Sequence, residues 1–185
     1  MTRQQLYDCL ERSPVIASFH EQAFEKALEA PPEILFDLRA NLKWEDERIK
    51  AAHKKGKFIF VHIDLADGIG KDKTGIEYLA GLGVDGIIST RAGIIKSARE
   101  NGMATVQRVF IVDSHSIATA ADTIQKNSPD MIELMPGIAT KAIAYFKDRV
   151  EIPIIAGGLI ETHEEAELAH RLGAFAVSTG KKELW

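Results

Sequence analysis

About eight short runs rich in Val, Ile and Phe recur along the chain, and the segments between them carry apolar residues at helical spacing among charged ones. That alternation predicts an α/β protein folded as a compact TIM-type (β/α)8 barrel, as do the unbroken apolar character of several runs and the Gly, Ser and Thr residues closing the last two. A single domain over residues 1–185 is expected, because no Pro/Gly/Ser-rich stretch separates two units.

The strand candidates, in order, begin with PVIAS (14–18), EILFDL (33–38), KFIFVHID (57–64) and DGIIST (85–90). The second half supplies ATVQRVF (104–110), MIELM (131–135), IPIIA (152–156) and AFAVST (174–179). Barrel strands are covered on both faces, by helices outside and side chains inside, so DGIIST and IPIIAGG are near-continuously apolar rather than alternating. Between the last two strands, Thr162 and Glu165 form a capping box, which predicts a helix from about Glu164 to Leu172 that Gly173 terminates. The stretch after Met135 is the hardest to assign, since Pro136 and Gly137 precede its helical pattern. A barrel of this length is small, so short loops and one irregular or absent helix are expected. An open doubly wound sheet also alternates strand and helix, but it carries a nucleotide-binding glycine loop after its first strand, and PVIASFH is not followed by one.

Hydrophobic residues make up 45% of the chain and charged residues 27%, the balance of a globular protein rather than a disordered or fibrous one. The opening MTRQQLYDCLERSP has no apolar core of a signal peptide, and no later run is long enough to span a bilayer, so a cytoplasmic protein with no membrane partner is expected. Cys9 is the only cysteine, which excludes an intrachain disulfide, and no neighbouring His or cation activates it, so a structural role is expected. The net charge of −4 argues against a surface that attracts nucleic acid everywhere. Any RNA contact needs a local basic patch, for which Lys50, Lys54, Lys55 and Lys57 form one candidate and Arg91, Lys96 and Arg99 another; from the sequence alone a solvated helix face is the simpler reading of either cluster.

In a (β/α)8 barrel ligands bind at the C-terminal ends of the strands. The seventh strand closes on Gly157 and Gly158, the eighth on Ser178, Thr179 and Gly180, and these two loops commonly build a phosphate site in this fold. Paired glycines let backbone N–H groups approach an anion, and the hydroxyls add donors. Other strand ends carry His62, Asp64, Ser89, Thr90, Arg91, Gln107, Arg108, Asp113 and Glu133. Period-two alternation places His62 and Asp64 on one face. Glu133 lies in an otherwise apolar strand, where a carboxylate requires a partner such as Arg108 or a ligand hydroxyl. A metal site would need Asp37, His62, Asp64 and Glu133 all to point inward, and Schiff-base chemistry would need a lysine inside a strand, whereas Lys57 only begins one.

The pieces VHIDLADGI (61–69), DGIISTR (85–91), QRVFIVDS (107–114), PDMIELMPGI (129–138), IPIIAGGLI (152–160) and GAFAVSTGKKELW (173–185) occur in an order that resembles the glycerol uptake operon antiterminator regulatory proteins of bacteria, over nearly the whole chain. The resemblance implies a barrel that responds to glycerol-3-phosphate as effector, uses no cofactor, binds leader mRNA of glycerol-utilisation genes so that transcription passes a terminator, and is not an enzyme. It implies a phosphate on Gly157, Gly158, Ser178, Thr179 and Gly180, with the glycerol end toward Asp64, Arg108 and Glu133. RNA binding is then expected to depend on RNA shape, on a homodimer that doubles a small basic patch, or on both, with Arg91, Lys96 and Arg99 as the patch, because it begins where the strand end Ser89-Thr90 meets the ligand mouth. From the same resemblance a serine is expected where this chain has Gly180, and a somewhat longer C-terminus than one ending at Trp185, and both bear on ligand and RNA contacts. The alternatives are a phosphate-substrate barrel enzyme, of isomerase or glycerophosphodiester hydrolase type, and a metabolite sensor acting on another protein.

Overall fold

A computed structural model describes residues 1–185, apart from the side chains of residues 114–116, 118 and 122; the end of the QRVFIVDS piece, at position 114, thus lies outside the described side chains. Eight parallel strands pair in sequence order and close into a barrel. They are β1 (Val15–Phe19), β2 (Ile34–Asp37), β3 (Phe58–His62), β4 (Gly86–Ser89), β5 (Ala104–Phe110), β6 (Met131–Met135), β7 (Ile154–Gly157) and β8 (Ala176–Thr179). Two coincide with their predicted bounds and the others shift by one or two residues at one or both ends. The opening of β7 moves past Pro153, which has no N–H to give a ladder.

One helix, α1 (Arg3–Arg12), precedes the first strand. Its buried Leu6, Cys9 and Leu10 belong to the same cluster as the inward side chains Ile16, Phe36, Phe60, Val106 and Ile155, so α1 closes the N-terminal end of the barrel. It is fixed there by ion pairs from Arg3 to Asp130 and from Arg12 to Glu33, both at 2.7 Å. Cys9 is a packing residue, and burial first, with Glu33 nearby, pushes its thiol up to about 11.

Helices α2 (Phe24–Glu29), α3 (Glu45–Lys54), α4 (Lys73–Leu82), α5 (Ala92–Glu100), α6 (Ser114–Asn127), α7 (Thr140–Lys147) and α8 (His163–Arg171) each join consecutive strands. The capping box of Thr162 and Glu165 starts α8 as predicted, and α7 forms once the chain has passed Pro136 and Gly137. A short 3-10 turn, Lys182–Leu184, follows β8. No helix of the described residues is long and apolar enough to cross a membrane.

Candidate functional site

Strand alternation makes the mouth of the barrel polar. Ile16, Phe60, Val106, Met131 and Ala176 fill the interior, and the next inward position on each strand, two residues on, is Ser18, His62, Arg108, Glu133 and Ser178. Apolar layers therefore support a single polar layer at the C-terminal ends.

Arg108 and Glu133 are register neighbours on β5 and β6. Arg108 Nε donates to Glu133 Oε2 at 2.6 Å, Ser178 Oγ donates to Oε1 at 2.6 Å, and Arg108 Nη1 lies 3.3 Å from His62 Nδ1. Glu133 is 1% exposed and Arg108 7%, so each charge depends on the other. The partner expected for Glu133 is thus Arg108. Gly157 serves this cluster, since a Cβ there would stand 2.4 Å from Glu133 Oε1 and 2.7 Å from Ser178 Oγ. Its missing side chain is room for the buried carboxylate, a role the sequence had pointed toward the phosphate.

Above the cluster lies a cavity of about 370 Å³ whose lining includes Ser18, Arg108, Glu133, Gly158, Gly180 and Lys181, at the small end of the range for ligand pockets. The β7 loop reaches it through two consecutive left-handed residues, Gly158 (φ 74°) and Leu159 (φ 59°). For leucine that conformation is strained, and its side chain is 61% exposed. The loop is held from β6 by the Gly137 N–H, which donates to the carbonyls of Gly157 (2.6 Å) and Gly158 (2.9 Å). Thr179 fastens the two phosphate-loop candidates together: its Oγ1 donates to the Ile160 carbonyl at 2.7 Å and accepts the Lys181 N–H at 3.0 Å. Lys181 Nζ pairs with Glu161 across the same gap at 3.2 Å.

The predicted residues therefore divide. Gly158, Thr179, Gly180, Ser178, Arg108 and Glu133 line one cavity, with the Ser178 hydroxyl spent on Glu133 and that of Thr179 on the loops. Asp64 is not among its lining. Alternation ends at His62, where the chain enters the 3-10 turn Ile63–Leu65, and Asp64 turns to the β4 end. There it accepts from Ser89 Oγ (2.8 Å), the Thr90 N–H (2.7 Å) and Arg91 Nε (3.0 Å). Burial opposes its charge, but the His62, Thr90 and Ser89 contacts outweigh that and hold the carboxyl well below the usual carboxylate range. Asp64 thus organises the β4 loop and reaches the Arg108–Glu133 cluster only through His62, whose Nε2 lies 3.7 Å from its Oδ2.

The basic clusters are also modified. Arg91 is committed to Asp64 and the Lys71 carbonyl, Lys96 lies 4.0 Å from Glu100, and Arg99 donates to the carbonyls of Asn127 and Ser128. In the other cluster, Lys50 pairs with Asp46, Lys55 with Glu29, Lys54 is exposed, and Lys57 is buried with its ammonium on the Ala30 and Pro32 carbonyls. Lys57 is part of the interior and not of a basic surface.

Of the metal candidates, Asp37 accepts from Arg48 Nη1 at 2.6 Å, and among the described residues no three His, Cys, Asp or Glu side chains converge. Three features escaped the sequence reading. Ser18 Oγ is buried at the mouth with no hydrogen-bond partner among the described residues; the inward parity of β1 was the signal that could have found it. Lys181 was hidden as one of two adjacent lysines. Glu45, beside the Asp37–Arg48 pair, is fully buried without a hydrogen-bond partner for either oxygen among the described residues, and burial first, with the Asp37 charge, pushes its carboxyl up to about 8.

Comparison with known proteins places the chain. A glycerol uptake operon antiterminator regulatory protein from Listeria monocytogenes is 36% identical and superposes with a TM-score of 0.88 over 94% of this chain and 95% of its own. A glycerol uptake operon antiterminator-related protein from Thermotoga maritima is 28% identical, with a TM-score of 0.79 over 92% and 96%. The uncharacterized protein YgcP of Escherichia coli (strain K12) is 32% identical over 97% of this chain and 95% of its own. A family model described as glycerol-3-phosphate responsive antiterminator matches residues 15–185, and the chain belongs to that family.

Proposed function

We propose that this protein senses glycerol-3-phosphate at the barrel mouth and, with that effector bound, engages leader mRNA to let transcription pass a terminator. The observation that carries the reading is the small cavity formed where the Gly158–Leu159 loop and the Gly180–Lys181 loop meet over the Arg108–Glu133 pair. Backbone N–H groups of glycine-containing loops and the Lys181 ammonium suit a phosphate. Arg108 and Glu133, one a pure donor and the other an acceptor, suit the hydroxyls of a short polyol. Gly158, Gly180, Ser178 and Thr179 would then surround the phosphate end, with Ser178 and Thr179 acting through the groups they position.

A regulator is favoured over an isomerase or hydrolase by the way the polar layer is spent. Both Glu133 oxygens and the facing edge of His62 are engaged by Arg108 and Ser178, an arrangement that holds charge in place rather than leaving a base poised to take a proton. The effector would act in the cytoplasm, and a homodimer would double whatever basic surface meets the RNA.

The deciding experiment is in vitro transcription through a leader terminator from a glycerol-utilisation operon of the source organism. Read-through that rises with the protein and glycerol-3-phosphate together, and not with either alone, is expected. Read-through indifferent to the effector, or turnover of glycerol-3-phosphate or a glycerophosphodiester by the clean protein, would overturn the reading.

A further inference from the structure

We infer that the RNA-contacting surface is the rim over β1, β2 and β8, carried by Lys26, Arg39 and Lys182, and not the α5 face that begins at Arg91. This rests on the RNA-binding reading above and specifies where that partner sits.

A second, larger depression of about 620 Å³ adjoins the effector cavity; Ser18 and Gly180 line both. Its wall carries Lys26, Arg39 and Lys182 with His20, against a single lining carboxylate, Glu21. Lys26 and Lys182 are exposed and have no ion pair among the described residues, while Arg39 makes one exposed pair with Asp67 at 3.1 Å. An ion pair this exposed holds weakly in water and is readily exchanged for a phosphate. The α5 depression has Lys73, Arg91 and Lys96 with Asp72 and Glu100 in its own wall. There Arg91 is locked to Asp64, and Lys73 and Lys96 each face a glutamate one turn along their helix. Of two grooves with similar numbers of cations, the β1/β8 rim holds two with no ion pair among the described residues, whereas each cation of the α5 groove has a carboxylate within 4.0 Å.

The same rim is wired to the effector site. Gly180, Lys181 and Lys182 are consecutive, with Lys181 on the effector cavity and Lys182 on the rim. Thr179, in β8, anchors one end of this short loop, and buried Leu184 with Trp185 Nε1 on the Thr179 carbonyl (2.8 Å) anchors the other. An anion in the cavity competes with Glu161 for Lys181, and Lys182 follows it on the same loop, which is hydrogen-bonded at both ends. Ser18, buried and unpartnered at the wall between the two depressions, is the hydroxyl positioned to report occupancy of either. A chain of phosphates is the occupant that suits an open, cation-lined groove of this kind, since spaced cations neutralise successive backbone charges.

The test uses fluorescence anisotropy of the full chain with a labelled single-stranded RNA of mixed sequence, across a salt series, with and without saturating glycerol-3-phosphate. Lys26→Gln/Arg39→Gln/Lys182→Gln and Arg91→Gln/Lys96→Gln/Arg99→Gln are compared with wild type, and calorimetry of glycerol-3-phosphate binding verifies that each variant is folded. The rim variant is expected to lose at least about tenfold in RNA affinity and to flatten the log K against log salt slope by about 2, at roughly 0.7 for each phosphate no longer neutralised. Its effector affinity without RNA should stand, and its effector-dependent change in RNA affinity should vanish. Wild-type-like RNA binding by the rim variant, or a loss in the α5 variant instead, overturns the assignment while leaving the RNA reading intact. No binding by wild type at low salt, either of this RNA or of a leader transcript with the effector present, overturns both.

Discussion

The two ends of the barrel solve opposite problems. At the N-terminal end α1 brings Leu6, Cys9 and Leu10 against the inward side chains, and its charged groups meet Asp130 and Glu33, so the floor is apolar inside and ion-paired at its edge. At the C-terminal end the inward layer is polar, a leucine is held at positive φ, and the Ser18 hydroxyl and Glu45 carboxyl are buried without partners among the described residues. Stability concentrated at one end supports an incompletely satisfied, ligand-ready surface at the other.

Truncations at the two ends should separate these roles. Arg108→Ala leaves Glu133 charged and buried beside Ser178 alone, and we expect a loss of about 3–5 kcal/mol in urea denaturation together with loss of glycerol-3-phosphate binding. Leu10→Ala at the floor should cost about 2–5 kcal/mol and leave effector affinity unchanged. Effector binding weakened by Leu10→Ala as much as by Arg108→Ala would erase the distinction.

Glu45 supplies a pH test of the mouth end. Its carboxyl is pushed up to about 8 by burial, whereas an unfolded glutamate titrates at about 4.3. Between those values the folded chain holds a proton that the unfolded chain has released, so this group lowers stability progressively as pH rises, and the loss is complete above about 8. Glu45→Gln should therefore be more stable than wild type at pH 8 by on the order of a few kcal/mol, at about 1.36 kcal/mol for each pH unit separating the two values, with the advantage shrinking toward pH 4.5. Melting curves of both proteins from pH 4.5 to 9 that run parallel would show that Glu45 is solvated or paired.

How much of this was legible in the sequence follows the same division. The strands were legible because apolar runs of β-branched residues bounded by turn residues are a local signal, and the α8 cap because Thr162 and Glu165 are three apart. The helix α1 was missed although Thr2 and Gln5 form a capping box and Leu6, Cys9 and Leu10 share a face. Its short, charge-rich sequence has no partner until the barrel closes beneath it. Arg108 with Glu133 was legible because a lone carboxylate in an apolar strand needs a counter-charge. The contacts of Asp64 with the β4 loop were not legible because alternation cannot reveal that a strand stops at His62. The steric role of Gly157 was not legible because a glycine's reason lies in what approaches it, here Glu133 from the neighbouring strand.

Two smaller changes sharpen the mouth itself. Gly158→Val forces a β-branched residue to φ 74° with its Cβ 2.7 Å from the flexible end of Met135. We expect a cost of about 1–3 kcal/mol in folding and no detectable effector binding by calorimetry; unchanged affinity would reduce the β7 loop to a turn. Gly180→Ser restores the hydroxyl expected in relatives. Its Cβ would meet only the Ser18 carbonyl at 3.6 Å, an ordinary contact, so the added donor should tighten glycerol-3-phosphate binding by about 0.5–1.5 kcal/mol, read by the same calorimetry.

The central claim, that the mouth is built for a phosphorylated polyol, is tested most directly by the melting temperature in the presence of glycerol-3-phosphate and of glycerol at equal concentration. At about a hundred times its dissociation constant the effector adds roughly 2.7 kcal/mol, a rise of several degrees for a chain of this size, at about 2–4 °C per kcal/mol. The account predicts that rise with glycerol-3-phosphate and almost none with glycerol. Equal shifts from the two compounds, or none from either, would contradict it.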